Sequence, residues 1–161
     1  MKNQKSILFI LFVGILSFSS CKDDDDEANT PAPVEQTNTE KLCGKNFIIS
    51  DFLLVVNGTT YVTGILDTTF FPACNLDDML RFETNGINTF SDGAIKCDPT
   101  DPQIETSTWA FYDSETKLIF DAGPDADTIT ILTNNGTELK VYTREFDDGD
   151  ILESTMTYTA Q

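Results

Sequence analysis

The sequence predicts an all-β domain, a small antiparallel β-barrel of eight or nine strands. Apolar and polar residues alternate along short segments, turn-forming pairs such as Asn57-Gly58 separate them, and no segment of the domain keeps helical spacing for three turns. Short turns favour an up-and-down strand order, and closure into a barrel removes the exposed edges of such a sheet. A sandwich of two sheets is the alternative.

Nine segments carry the strand pattern, at 47–56, 59–66, 79–84, 87–91, 105–112, 117–121, 127–133, 138–146 and 151–159. The last shows it most clearly, since Met156 and Tyr158 fall on one face and Thr155 and Thr157 on the other. Such alternation predicts one buried and one solvated face. The helical signal in the domain is limited to a single turn at 75–78.

The start of the chain has the pattern of an exported lipoprotein. Two lysines precede an apolar run at 7–18, and small residues lead to Cys21. The run is shorter than the roughly 20 residues that a helix needs to span a bilayer, so a secretory signal peptide over residues 1–20 fits it better. We predict cleavage before Cys21 and lipid attachment to that residue. An uncleaved anchor and a cut elsewhere are the alternatives.

The segment from Cys21 to Glu40 is a predicted tether, disordered and acidic. It opens with Lys22 and a run of acids, and residues 28–40 carry almost no large apolar side chains. Mutual repulsion and the lack of apolar residues keep such a segment extended. The globular domain then spans 41–161, long enough to bury about two thirds of its unfolded surface.

Charge and composition exclude several classes of protein. The chain has 27 acidic and 10 basic residues, a formal net charge of −17, which repels nucleic acid and anionic membrane surfaces. It has no histidine, which rules out Ser-His-Asp and Cys-His catalysis and the zinc sites that use histidine. We therefore predict no nucleic-acid partner, no metal and no cofactor.

Three cysteines remain for the domain once Cys21 carries lipid, and only two of them can pair. Export places the domain in an oxidising compartment, where a disulfide is favoured over a metal site. Cys74 and Cys97 flank a predicted hairpin that brings its ends together, so a bridge between them is the first choice. Cys43 is then a buried free thiol. A bridge from Cys43 to either of the other two is the alternative.

Clusters of acidic residues give no clear site. Asp77 and Asp78 lie beside Arg81, but calcium takes about six to eight oxygens, so a capped turn with a surface ion pair is the better interpretation. The acids at 121–127 lack the calcium-loop pattern. A glycosidase needs two acids at a defined separation, and nothing in the sequence selects a pair. We predict that the protein is not an enzyme.

Aromatic residues are the best candidates for a binding site. Seven of them occupy strand positions that a barrel interior would use: Phe52, Phe82, Phe90, Trp109, Phe111, Tyr142 and Tyr158. An eight-stranded barrel is wide enough to be filled by side chains or to hold one small ligand. Trp109, Tyr142 and Tyr158 have polar heads, which orient ligands in apolar pockets, and with Phe111 they are the predicted pocket residues. An interior filled by side chains is the alternative.

Several short motifs resemble the lipocalin-like domains of bacterial surface lipoproteins in order and spacing. They are Leu42, Gly44-Lys45-Asn46-Phe47, Cys74-x-x-Asp77-Asp78-x-x-x-Phe82, Asn85-Gly86, Gly93, Lys96-Cys97-Asp98, Thr108-Trp109 and Thr157-Tyr158-Thr159. The resemblance covers 42–161. It implies a small lipocalin-like barrel, a Cys74–Cys97 bridge and a lipid-anchored envelope location. Lys22 followed by acids also resembles the signal that sends some Gram-negative lipoproteins to the outer cell face.

Two functions follow from this combination. The first is an outer-membrane lipoprotein, facing the cell surface, whose barrel binds a small apolar or amphipathic molecule. The second is a filled barrel that serves as a structural or interaction module of an outer-surface protein assembly. Both place the chain at a membrane through the lipid on Cys21, and the second adds an envelope protein as partner.

Replacing Cys21 tests the lipid anchor. We expect the Cys21→Ser chain to lose its partition with membranes, because stable anchoring takes two or more acyl chains and serine would carry none of them. Fractionation of cells and detergent phase separation measure this, with Cys43→Ser as the control that keeps the anchor. Unchanged partition of the Cys21→Ser chain would contradict lipidation at this residue.

Overall fold

The computed structural model describes residues 35–65, 71–123 and 126–161. Within these residues the chain forms one short α-helix, one 3-10 helix and nine β-strands. In chain order they are α1 (Asn38–Leu42), β1 (Asn46–Val56), β2 (Thr59–Thr63), the 3-10 helix (Ala73–Asn75), β3 (Met79–Phe82), β4 (Ile87–Ser91), β5 (Ile104–Tyr112), β6 (Lys117–Phe120), β7 (Asp127–Asn134), β8 (Glu138–Asp147) and β9 (Asp150–Ala160).

The nine strands form one antiparallel sheet that closes on itself. Hydrogen bonds join them in the order β2-β1-β3-β4-β5-β6-β7-β8-β9, and β1 also pairs with β9. The barrel wall therefore has eight strands, and β2 is an extra strand beside the second half of β1. From β3 to β9 each strand lies next to its neighbour in the chain, which is the up-and-down order. The prediction of an all-β barrel of eight or nine strands is confirmed.

The turn residues join the strands as their sequence predicts. Asn57 and Gly58 connect β1 to β2 with φ angles of 49° and 79°, and two consecutive positive φ angles define the type I′ hairpin turn. Asp148 and Gly149 connect β8 to β9 in the same way, with φ angles of 47° and 96°. The two hairpin tips are also bonded to each other, since Nδ2 of Asn57 donates to Oδ1 of Asp150 at 2.7 Å.

The barrel closes along β1 and β9, which pair over nearly their whole length. The register shifts between Ile49 and Asp51, so that Ser50 forms a β-bulge. The Ser50 hydroxyl donates to the carbonyl oxygen of Thr157 in β9 at 3.1 Å. A bulge bends its strand and increases the twist, and both changes help a sheet to curve into a barrel.

One end of the barrel, which we call the base, is filled by side chains. The buried cluster there consists of Leu42, Phe47, Phe82, Trp109, Leu118, Leu139 and Val141. Trp109 is 8% exposed and the other six are at most 1% exposed. The aromatic rings meet edge to face, with the centroids of Phe82 and Trp109 5.2 Å apart. Each such side chain contributes about 1.5–3 kcal/mol on burial, so the base stabilises the fold.

The helix α1 closes the base, in a stretch where the sequence predicts no helix. Thr37 and Glu40 form a capping box, in which the Glu40 N–H donates to the Thr37 hydroxyl at 3.2 Å. Leu42 at the end of the helix is fully buried. The prediction that the tether extends to Glu40 is therefore corrected. A helix of five residues with one buried leucine shows no apolar repeat by which it could be recognised.

A disulfide joins Cys74 to Cys97, with their Cα atoms 5.2 Å apart, and this pairing confirms the prediction. Cys43 is a half-buried free thiol at the end of α1. Burial is the main reason that the pKa of the Cys43 thiol is raised, and the nearby Glu83 carboxylate adds to it. The thiol is therefore protonated and unreactive at neutral pH.

The predicted signal peptide, Cys21 and most of the predicted tether lie outside the described residues, so these assignments stay predictions. None of the helices in the described part of the chain is long and apolar enough to span a membrane.

Removing the disulfide tests its contribution to stability. The bridge closes a loop with a sequence separation of 23, and we expect the Cys74→Ser, Cys97→Ser double variant to lose about 3 kcal/mol of unfolding free energy, because the unfolded chain regains the entropy of that loop. Urea denaturation followed by circular dichroism measures the loss. Cys43→Ala, which leaves the bridge intact, is the control and loses much less. Equal stability of the double variant and the parent would contradict this role.

Candidate ligand-binding site

A pocket of about 160 Å³ lies in the half of the barrel away from the base, which we call the open half. The side chains that line it are Ile49, Phe71, Asn75, Asp78, Leu80, Phe90, Met156 and Tyr158. Six of these present carbon or sulfur surface and two are polar. Phe90 is 40% exposed, so the pocket is open to solvent next to this residue.

Strand pairing explains why these side chains point inward together. In antiparallel strands, residues directly opposite each other lie on the same face of the sheet. Ile49 of β1 pairs with Tyr158 of β9, and Leu80 of β3 pairs with Phe90 of β4. Met156 lies two residues before Tyr158 and therefore on the same face. The wall of the pocket is thus built from β1, β3, β4 and β9.

Residues 71–78, which precede β3, cover the pocket, and we call them the cover segment. It supplies Phe71, Asn75 and Asp78 to the lining. The ring of Phe71 packs edge to face on Phe52 of β1, with centroids 4.6 Å apart. The Cys74–Cys97 bridge ties the cover segment to the loop after β4. The cover is therefore held on both sides, by packing on β1 and by a covalent bond.

Two aspartates fasten the cover segment to the same loop. Oδ2 of Asp77 accepts from the Ala94 N–H at 2.6 Å, and Oδ1 of Asp78 accepts from the Gly93 N–H at 3.1 Å. The Asp77 carboxyl lies directly against Gly93, where a Cβ atom would collide with it. Among the described residues, Oδ1 of Asp77 has no hydrogen-bond partner although it is buried.

The environment of Asp78 disfavours its charged form. Burial is the largest reason that its pKa is raised, and the neighbouring carboxylates Asp92 and Asp77 add to the shift, while the hydrogen bond from Gly93 opposes it. The carboxylates beside the pocket therefore repel one another, and Asp77 and Asp78 accept hydrogen bonds from the backbone. In the described part of the chain, no three Cys, Asp or Glu side chains come together as metal ligands would.

Tyr158 places a phenol at the inner wall of the pocket. Burial raises the pKa of Tyr158 to about 12, so its hydroxyl stays protonated and remains a hydrogen-bond donor at every physiological pH. That hydroxyl lies 3.3 Å from Sδ of Met156. A thioether sulfur is a weak acceptor, so this contact satisfies the donor poorly.

A second, polar cleft of about 650 Å³ lies where β7 and β8 separate. The described pairing of these strands begins at Thr130 opposite Tyr142 and continues toward the β7–β8 turn. Beyond Tyr142 the two strands diverge, and residues from both line the cleft. The full lining is Ser107, Phe120, Asp121, Ala126, Asp127, Thr128, Ile129, Thr143, Arg144 and Glu145. The barrel therefore has an apolar pocket between β1, β3, β4 and β9 and a separate polar cleft at β7 and β8.

Two of the predicted pocket residues, Trp109 and Phe111, lie at the base rather than at the pocket. Trp109 belongs to the buried cluster, and Phe111 packs against it with ring centroids 5.4 Å apart. The indole Nε1 of Trp109 already donates to the carbonyl oxygens of Glu83 and Ile87, each at 3.1 Å. Their inward orientation agrees with the sequence, but the structure uses them to fill the base.

Tyr142 lies on the outer face of the barrel, and its expected inward orientation is corrected. The inward positions of β8 are taken by Leu139 and Val141, so the residue after Val141 points outward. The Tyr142 hydroxyl donates to Oε1 of Glu153 at 2.7 Å. This hydrogen bond is the main reason that the pKa of Tyr142 is raised. Of the four predicted residues, Tyr158 is the one that lines the pocket.

The sequence analysis assigned no binding role to most of the pocket wall. Ile49, Leu80 and Met156 are aliphatic or thioether side chains, which look like ordinary core residues in a sequence. A signal was available for Met156, since it shares a face of β9 with Tyr158. None was available for Phe71, because the cover segment has no periodic pattern.

No family model matches this chain, and no curated protein is significantly similar to it in sequence. The resemblance to lipocalin-like domains therefore stays a prediction. The geometry by itself defines a coarser class, a closed antiparallel barrel with a packed base and a small apolar pocket in its open half.

Replacing Asp78 tests the effect of its burial on stability. Because its pKa is raised in the folded state, the stability linked to this group is greatest in acid and falls as the pH rises from the ordinary pKa of 3.8 through the raised value. An asparagine side chain at this position would keep an acceptor for the Gly93 N–H without the charge. We expect Asp78→Asn to be more stable than the parent at neutral pH and to lose that advantage in acid.

Thermal unfolding between about pH 3 and about pH 7 measures this difference. Asp98→Asn is the matched control of opposite sign, because hydrogen bonds from the backbone and hydroxyl of Thr100 lower the pKa of Asp98. Its substitution should reduce stability at neutral pH and have less effect in acid. A parent and an Asp78→Asn variant with the same stability at every pH would contradict the role of burial.

Proposed function

We propose that this chain is a lipid-anchored envelope lipoprotein whose barrel binds a small apolar or amphipathic molecule. The observation that supports the binding role is the pocket in the open half, where apolar side chains surround an unfilled space next to a buried phenol. Ligand pockets in proteins have this composition, mostly apolar surface with a few polar groups that fix orientation.

The size of the pocket indicates the size of the molecule. Cavities of roughly 150 Å³ lined by aliphatic and aromatic side chains bind a benzene ring. The pocket here has a similar volume, about 160 Å³, and similar walls. The polar cleft near β7 and β8 shares no lining residue with the pocket, so the pocket alone indicates the size of the apolar group that is bound.

The anchor and the location are supported by the sequence. The leader pattern and Cys21 favour a lipoprotein, and the acids after Lys22 favour the outer face of an outer membrane. A barrel held near the surface by a tether is well placed to capture a sparingly soluble molecule. In this arrangement the lipid provides the location and the barrel provides the binding site.

The second candidate is a filled barrel that acts as a structural or interaction module. The packed base favours it, because six of its seven buried side chains are at most 1% exposed. The outer face also carries apolar residues that a protein partner would cover, Phe146 being 75% exposed and Tyr61 67% exposed. A ligand titration separates the two candidates.

Methionine methyl groups provide a direct test of the pocket. The chain has three methionines: Met1, Met79 and Met156. Met156 lines the pocket, whereas Met79 precedes the inward Leu80 and lies on the outer face. We expect benzene to shift the Met156 methyl resonance with a dissociation constant of about 1 mM or below, because it fills apolar space of matching size.

Met79 is the internal control and should keep its resonance through the titration. A Met156 resonance that does not move, in a protein whose Met79 resonance shows it to be folded, would contradict the binding role and favour the filled barrel. The same titration in lipid nanodiscs with the full-length protein, against empty nanodiscs, removes the effect of benzene that partitions into lipid.

A further inference from the structure

Two neutral side chains of the lining carry a hydrogen-bond donor, the hydroxyl of Tyr158 on the barrel wall and the amide of Asn75 in the cover segment. Among the described residues the hydrogen-bond partner of the Tyr158 hydroxyl is Sδ of Met156, a weak acceptor that lines the same pocket. A buried donor without a good partner costs free energy, and a ligand that supplies a better acceptor recovers it. The phenol is protonated at neutral pH, so it donates and does not carry a negative charge.

The charges near the pocket are negative. Asp78 lines the pocket, and Asp77 and Asp92 lie close enough to raise the pKa of its carboxyl. None of the eight lining side chains is basic. Arg81, the nearest basic residue in β3, follows the inward Leu80 and is bonded instead to Glu83, with Nε and Oε1 2.5 Å apart. These carboxylates would therefore repel a carboxylate or phosphate in the pocket, and no basic side chain of the lining would offset the repulsion.

We propose that the pocket selects an uncharged molecule of single-ring size that carries a hydrogen-bond acceptor, such as a cyclic ketone, with the acceptor held by the Tyr158 hydroxyl. This inference rests on the binding role proposed above and adds the chemical class of the ligand. Apolar contacts with Ile49, Leu80 and Met156 hold the ring. The phenol then distinguishes a ketone from a hydrocarbon, and the acids exclude anions of the same size.

A second tyrosine, Tyr142, provides a matched control for the phenol of Tyr158. Tyr158→Phe removes the hydroxyl and keeps the ring in the pocket. Tyr142→Phe removes a hydroxyl from the outer face, where it is bonded to Glu153 and does not belong to the pocket lining. Comparison of the two variants separates the loss of one donor in the pocket from the general effect of replacing a tyrosine.

The experiment uses three probes of similar shape: cyclohexanone, methylcyclohexane and cyclohexanecarboxylate. Each is titrated into the full-length protein in lipid nanodiscs, with empty nanodiscs as blank and the Met156 methyl resonance as readout. We expect Tyr158→Phe to weaken the binding of cyclohexanone about fivefold, the usual value of one neutral hydrogen bond. Its affinity for methylcyclohexane should not change, and Tyr142→Phe should change neither. Cyclohexanecarboxylate should not bind.

Each other outcome overturns a defined part of the proposal. If Tyr158→Phe affects both neutral probes equally, or neither, the phenol does not select the ligand, although the binding role survives. If cyclohexanecarboxylate binds as well as cyclohexanone, the exclusion of anions is wrong. If no probe moves the Met156 resonance of the parent, the binding role itself fails. Should Tyr158→Phe not fold, a cyclohexanone-dependent shift of the Tyr158 ring carbon that bears the hydroxyl replaces it, and absence of that shift overturns the proposal.

Discussion

The pairing of β1 with β9 is the interaction on which the rest of the structure depends. Along its other edge, β1 pairs first with β3, as far as Ile48, and then with β2, from Leu53 onward. The Phe52 carbonyl also accepts from the Gly64 N–H, so within the described residues this edge of β1 is unpaired at 49–51, and the bulge at Ser50 falls in that stretch. The bulge turns both Ile49 and Phe52 inward, and the cover segment packs there. Closure of the barrel and formation of the pocket are thus consequences of the same irregularity in one strand.

The two halves of the barrel make different use of similar residues. At the base, aromatic and aliphatic side chains exclude water almost completely, and this burial stabilises the closed sheet. In the open half, Phe90 is 40% exposed, and among the described residues the Tyr158 hydroxyl has the Met156 sulfur as its partner. A molecule with an acceptor would, in the pocket, both cover Phe90 and give the Tyr158 hydroxyl a better partner. The burial that stabilises the fold is therefore concentrated at the base, apart from the pocket.

The sequence was sufficient for the architecture and insufficient for the site, for a physical reason. Strand alternation and turn pairs such as Asn57-Gly58 are local, so they predict the strands and the closed barrel. They also identify the inward face of β9, which carries Tyr158. Local patterns do not show how far along the barrel a side chain lies, so Trp109 and Phe111 were assigned to a pocket although they fill the base. Tyr142 lies on the outer face because Leu139 and Val141 take the inward positions of β8.

The contact between Gly93 and Asp77 limits how this domain can vary in evolution. A side chain at position 93 would push the Asp77 carboxyl away from the Ala94 N–H and loosen the cover segment. Related chains that keep this cover therefore have to keep glycine at that position or change both residues together. The pocket wall has no comparable restriction, since Ile, Leu and Met exchange for one another at little cost. Divergence within such a lineage would alter the shape of the pocket before it altered the way in which the pocket is covered.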